Sequence, residues 1–330
     1  MRLSFSTRGW ADMDFENLIE TAERMHFEGI EIYNLLKRPD LTEKGAAFEK
    51  YKVAQTCRKL KDARLSIPCM DTSLDLSAQN GTEDPAAEIS AMLEYAENAQ
   101  CPFIAVTCNY ENDRAVRERL TRILPEAEKR SVVILIKTKG IYTDTGRLRR
   151  LLDDFASDFL GALWDAHHTY RKAKESAGKT INNLGAYVRH VHLRDSDEEG
   201  NYELIGEGTV PVQEIVNALS SIDYDGFVSL EWKPEWMDEL TDREIIFPYF
   251  VTYMKRFENT RGKKKTLYYN FDGTGQYVWK KTNWWILRFP RCWTGWQRSF
   301  PTSMRSAIRR WIIPGPMRSF GGMWTILRER

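Results

Sequence analysis

The sequence predicts an α/β chain folded as a closed (β/α)₈ TIM barrel with an irregular C-terminal tail. Eight short apolar or β-branched runs alternate with eight amphipathic ones over about the first 255 residues, which is the size of such a barrel. A change of composition near residue 282 predicts the tail. A doubly wound open sheet is the alternative, but no G-x-G-x-x-G turn follows the first strand to favour a dinucleotide fold.

Taken in order, the candidate strands are Arg2–Thr7, Gly29–Tyr33, Leu65–Asp71, Phe103–Cys108, Val132–Thr138, Ala162–Asp165, Val188–Leu193 and Phe227–Glu231. In the first helical segment Phe15, Leu18, Ile19 and Ala22 share a face, and Asp14 is placed to cap it. Later helices are predicted over 48–63, 86–98, 112–129, 146–157, 174–186, 211–221 and 240–257. Tyr224-Asp225-Gly226 is a turn signal immediately before the last strand. The barrel is assigned to 1–260, a linker to 261–281 and the tail to 282–330, which is not expected to form a domain.

Composition narrows the class. A formal net charge of +1 with 42% hydrophobic and 29% charged residues describes a globular protein. No apolar run approaches a membrane span, and acidic residues at Asp12, Asp14 and Glu16 follow the short apolar start, so no signal peptide is read and the protein is expected in the cytoplasm. The five cysteines are odd in number and never in a C-x-x-C pair, which points to neither a disulfide framework nor a zinc cluster. Cys69 is the one that falls at a predicted strand end.

The average charge conceals a break. Residues 282–330 hold nine Arg, one Glu and neither Lys nor Asp, a net of +8, which leaves −7 for residues 1–281. Seven of the eleven tryptophans lie between Trp279 and Trp324. A basic aromatic tail can serve as a nucleic-acid or membrane arm, but such arms are Lys-rich and poor in Trp. Arg, Trp, Gly and Pro without Lys or Asp is what a GC-rich gene yields when read out of frame. The stretch from Arg309 to Met317 can be re-read one nucleotide earlier as T-T-L-D-Y-T-R-T-Y, which resembles the early part of an acyl-adenylate-forming ligase. The expectation is a frameshifted tail after an indel near codon 281, with an ancestral fusion to a ligase domain; genomic DNA with no open ligase frame there excludes it.

In a barrel the active site forms at the C-terminal ends of the strands. Four of the five histidines fall between positions 167 and 192. The sixth strand ends in Trp164-Asp165-Ala166-His167-His168, where a carboxylate could take a metal and His168 face substrate, or Asp165 could simply cap a helix. On the seventh strand a period of two puts His190, His192 and Arg194 on one face, directed into the barrel, with Val191 and Leu193 on the other. Glu231 closes the eighth strand as an acidic ligand or a base, or in a salt bridge to Arg194 or Lys137.

Trp164-Asp165-x-x-His168, His190-Val191-His192-Leu193-Arg194-Asp195, the loop from Gly206 to Pro211 and Ser229-Leu230-Glu231-Trp232 together resemble the xylose isomerase-like barrel superfamily, over Met1 to about Phe257. The resemblance implies a sugar or sugar-phosphate isomerase or epimerase with one divalent metal (Mn²⁺, Mg²⁺, Co²⁺ or Zn²⁺). It implies Asp165, His192 and Glu231 as metal ligands, His168 with His190 and Arg194 toward substrate, and Glu231 doubling as acid/base.

Strand five departs from the pattern, because Lys137 stands where the family places a fourth ligand, a glutamate. A protonated lysine there predicts weak metal occupancy and impaired function; a deprotonated one would be a catalytic base or carbonyl-trapping amine. The reaction read from this set is proton abstraction next to a carbonyl, with isomerisation or dehydration through the single base Glu231 easier than two-base epimerisation. A non-catalytic barrel or gene remnant acting at most as a binding module is the rival from another class. An endonuclease IV-like phosphodiesterase is disfavoured by the charge of −7 on the body. No nucleic-acid or membrane partner is expected, and a homo-oligomer is left open.

Overall fold

The computed structural model describes residues 1–10, 12–78, 85–237 and 242–257 in full. Beyond them it describes only the backbone of the last helix, Arg243–Arg261, and of the short strands Asn270–Phe271, Tyr277–Val278, Trp285–Phe289 and Trp324–Arg328. The chain divides into two units, Met1–Phe257 and Glu258–Arg330. In the second, Asn270–Phe271 pairs antiparallel with Tyr277–Val278 and Trp285–Phe289 with Trp324–Arg328. The linker and tail assignments, and with them the frameshift reading, otherwise lie outside the described residues.

The first unit is the closed eight-stranded parallel barrel that the alternation predicts. Its strands are Arg2–Ser6, Gly29–Tyr33, Met70–Asp75, Phe103–Thr107, Val133–Lys137, Leu160–Asp165, Val188–Leu193 and Phe227–Leu230. The first pairs with both the second and the eighth, which closes the ring. The third strand starts later than its apolar run: Leu65–Cys69 approaches strand two as an isolated bridge from Ser66 to Gly29, and regular pairing begins at Met70.

Around the sheet run helices at Phe15–Arg24, Val53–Asp62, Pro85–Asn98, Asp113–Arg130, Thr145–Phe155, Ala177–Leu184, Val212–Ser221 and Arg243–Arg261. Asp14 caps the first by accepting the Asn17 N–H at 2.9 Å, and Phe15, Leu18, Ile19 and Ala22 are its buried face. Three short elements are not apparent from periodicity: a helix at Pro39–Thr42, another at Ala166–Arg171, and a hairpin pairing Asp195–Ser196 with Tyr202–Glu203. Where first strand meets last helix, Phe5 packs against Trp10, Phe27 and Phe247 at ring separations of 5.4, 4.9 and 5.2 Å.

Alternation divides the apolar residues into two cores. The large one lies between sheet and helices, whereas Cys69, Ala105, Leu135 and Leu163 form a small cluster inside the barrel. Two residues further along those and neighbouring strands stand Asp71, Thr107, Lys137, Asp165 and His192, with Glu31 and Glu231 beside them, all buried. The inner face is thus apolar below and charged at the strand ends, where barrel active sites form.

Candidate active site

Glu31, in the middle of strand two, is fully buried and faces strand seven. Its carboxylate takes Nε2 of His190 at 2.6 Å and Nε2 of His192 at 2.9 Å. Burial alone would raise the Glu31 pKa, but the two imidazoles hold it well below the usual carboxylate range. An ionised carboxylate can only accept, so both histidines donate from Nε2 and their Nδ1 atoms turn away without a partner. Burial pushes His190 down toward the neutral form; for His192 burial is outweighed by Glu31, and its pKa rises. His192 Nδ1 is left 3.8 Å from Glu231 Oε2.

Glu231 follows the eighth strand and meets three cations. Arg194 donates to its Oε2, Arg8 Nη1 reaches Oε1 at 2.9 Å, and Lys137 Nζ lies 4.0 Å from Oε1. Burial would raise its pKa, but Arg194 and then Lys137 bring it down to about 2. Arg8 comes from the 3₁₀ turn Thr7–Trp10, lying over the rings of Tyr33 and Trp236 at 4.9 Å each.

Asp165 serves three groups at once. Its Oδ1 accepts the His168 N–H at 3.0 Å, capping the helix Ala166–Arg171; its Oδ2 takes Arg194 Nη2 at 2.9 Å and lies 2.8 Å from His168 Nδ1. His168 Nδ1 is also 2.7 Å from Arg194 Nη2, so it donates to the carboxylate or accepts from the guanidinium according to its tautomer. The Asp-x-x-His spacing therefore does two jobs, helix cap and side-chain dyad. Asp165 is held well below the usual carboxylate range by Arg194 and His168 in spite of its burial.

Lys137 ends strand five with its side chain buried. Its Nζ donates to Asp71 Oδ2 at 2.7 Å. Burial favours the neutral amine, but Asp71 and Glu231 outweigh it and raise the pKa above that of a free lysine, so the ammonium is the resting form. Two positions on, Lys139 is half-buried, and its pKa is lowered by burial and by Lys137.

The expected site residues other than His190 are thus found at the strand ends, but in different groupings. Asp71, His192 and Glu231 bring one ligand atom each within 4.8 Å of one another, as do Glu31, His190 and His192. Asp165 is in neither group, because Arg194, His168 and the helix cap engage it. His190 lies below the mouth, fully buried and bound to Glu31, where it makes no surface for substrate. Glu31 and Asp71 escape the sequence reading, although their signal is there: an acid inside an apolar strand, in phase with the inward face.

Whether this set fits a divalent ion can be judged from the donors. The unpartnered Nδ1 of His192 and the oxygens of Asp71 and Glu231 are suitable. The ammonium of Lys137, however, already sits against the same two carboxylates. Unit charges 4 Å apart interact by about 4 kcal/mol at an effective dielectric near 20, and a divalent ion doubles the repulsion to about 8 kcal/mol. With Lys137 in place the donor set does not fit a divalent ion.

A buried Asp–Glu–His–Arg–Lys cluster thus stands at the C-terminal ends of the parallel strands of a (β/α)₈ barrel, where such barrels place their sites. The chain belongs to the xylose isomerase-like TIM barrel family, whose profile matches residues 19–246. The uncharacterized protein MJ1311 of Methanocaldococcus jannaschii is 32% identical over 105 residues, 31% of this chain; the match spans only 35% of that relative's length. Among solved structures, the probable 3-DHS dehydratase AsbF of Bacillus anthracis matches with a TM-score of 0.65 at 17% identity, over 77% of this chain and 99% of its own. D-psicose 3-epimerase of Clostridium cellulolyticum H10 gives 0.64 at 15%, over 78% and 99%. The IOLI protein, solved with a zinc atom, gives 0.65 at 15%, over 78% and 99%. At such identities these likenesses describe the fold. Structural relatives thus include epimerases and dehydratases, and one of them holds a metal.

Proposed function

We propose that the barrel catalyses proton transfer at carbon next to a carbonyl in a small sugar or sugar phosphate, the chemistry of an isomerase or of a dehydratase working through one base. The observation that carries this reading is Glu231, a buried carboxylate at the strand ends held among three side-chain cations, with the His168–Asp165 dyad on the other side of Arg194. Glu231 takes the proton from carbon, and the electron pair left behind forms an enediolate whose oxygen accepts from Arg194 and Lys137. At about 2 the pKa of resting Glu231 is low for a base. The developing oxyanion competes for the cations that depress it, so its basicity rises as the reaction advances. His168 is positioned to exchange the second proton. Arg8 and Lys139 add cations suited to a phosphate.

A second reading, a non-catalytic barrel that at most binds, is favoured by the charge pairing at the strand ends, where Glu231, Asp165 and Asp71 already hold Arg8, Arg194 and Lys137. A panel of aldo- and keto-sugars and their phosphates, followed by NMR for isomerisation, separates the two. The isomerase reading expects one substrate to turn over and Glu231→Gln to lower kcat by at least about a hundredfold. No turnover on any member, or an unaffected Glu231→Gln variant, contradicts it.

A further inference from the structure

We propose that this chain carries its own cation in place of a divalent ion: the Lys137 ammonium, clamped between Asp71 and Glu231, sits against both carboxylates of the group Asp71, His192 and Glu231 and keeps these donors from forming a divalent-metal site. The inference deepens the reading given under Proposed function by naming what polarises the substrate oxygen, but its metal-binding consequence stands without that reading.

Position comes first. Lys137 Nζ is 2.7 Å from Asp71 Oδ2 and 4.0 Å from Glu231 Oε1, and those two residues with His192 are the group whose ligand atoms converge. An ion at ordinary bonding distance, about 2.0–2.5 Å from those oxygens, would lie against the ammonium. The side chain cannot simply swing aside, since Lys137, Asp71 and Glu231 are all 3% exposed or less. Charge agrees with position. Glu31, Asp71, Asp165 and Glu231 are offset by Lys137, Arg194 and Arg8, so the cluster has little negative charge left to attract two more positive charges.

Of the remaining donors, Glu231 already carries Arg194 and Arg8, whereas His192 is open. His192 Nδ1 is buried without a partner, and its ring is fixed through Nε2 by Glu31, which is how a metal-ligating histidine is usually held. Replacing the ammonium by a carboxylate would therefore leave three carboxylate or imidazole donors in place and add a fourth.

The test is Mn²⁺ binding to the full chain by calorimetry and by loss of the free-ion EPR signal, for wild type, Lys137→Gln and Lys137→Glu. Wild type is expected to bind no Mn²⁺ up to millimolar concentration. Lys137→Glu is expected to take up one ion per chain at least about a thousandfold more tightly, with Lys137→Gln between them. Addition of His192→Ala should abolish the gain. Stoichiometric micromolar binding by wild type overturns the proposal, as does failure of both Lys137 variants to gain affinity while their circular dichroism stays that of the wild type. Should Lys137→Glu not fold, Lys137→Gln decides alone. Absence of sugar turnover would sink the functional reading and leave this result untouched.

Discussion

Glu31 shows how one residue can organise the interior without reaching the mouth. It orders two histidines on the opposite strand by accepting from both, and thereby aims His192 Nδ1 at Glu231. Glu31→Gln should cost about 3 kcal/mol of stability in urea unfolding, because buried His192 loses its counter-charge and His190 a charged acceptor; a loss below about 1 kcal/mol would mean the network is not held by that charge. His167 makes a different statement. It is stacked on Tyr202 at 5.4 Å with Nε2 3.0 Å from Ser196 Oγ, and burial, helped by Arg194, lowers its pKa to about 3. Above pH about 6.5 the imidazole is neutral folded or unfolded, and its burial costs no charge. As pH falls from there toward 3 the unfolded chain takes a proton that the folded chain refuses, so stability declines across that window. His167→Gln should flatten the stability–pH slope between pH 6.5 and 4; an unchanged slope would assign it to other groups.

At the scale of elements, what could be read in the sequence follows the strength of periodic signals. Asp14 before Phe15, Leu18, Ile19 and Ala22 marks a helix start, and the Asn17 N–H bond realises it. Asp14→Ala should cost about 1 kcal/mol, measured by chemical denaturation; no loss would show that packing of the apolar face suffices. Strand seven was legible for the same reason, since His190, His192 and Arg194 alternate with Val191 and Leu193. Short elements carry no full period, which hides the helix Ala166–Arg171 and the hairpin after Asp195. That hairpin and the loop to Pro211 are organised by Asp195, whose carboxylate accepts the N–H groups of Ser196, Gly206, Gly208 and Val210. A Cβ at Gly208 would stand 2.3 Å from Asp195 Oδ1, which explains the glycine in that loop. Partnership across the barrel was not legible: strand phase says that Glu31 and Asp71 face inward, but only closure of the ring puts them against His192 and Lys137.

For the whole molecule, no helix among the described residues is long and apolar enough to cross a membrane. The site at its strand ends comes from six different strands and the turn after the first, so its charge balance is a property of the closed barrel. Side-chain cations stand among the carboxylates of this barrel, whereas the IOLI protein was solved with a zinc atom. The most direct measurement is solvent deuterium uptake at the carbon beside the carbonyl of a turned-over sugar, followed by NMR with and without excess EDTA. The same exchange rate is expected in both, with its loss in Glu231→Gln. Exchange that stops in EDTA and returns with Mn²⁺ would contradict this expectation.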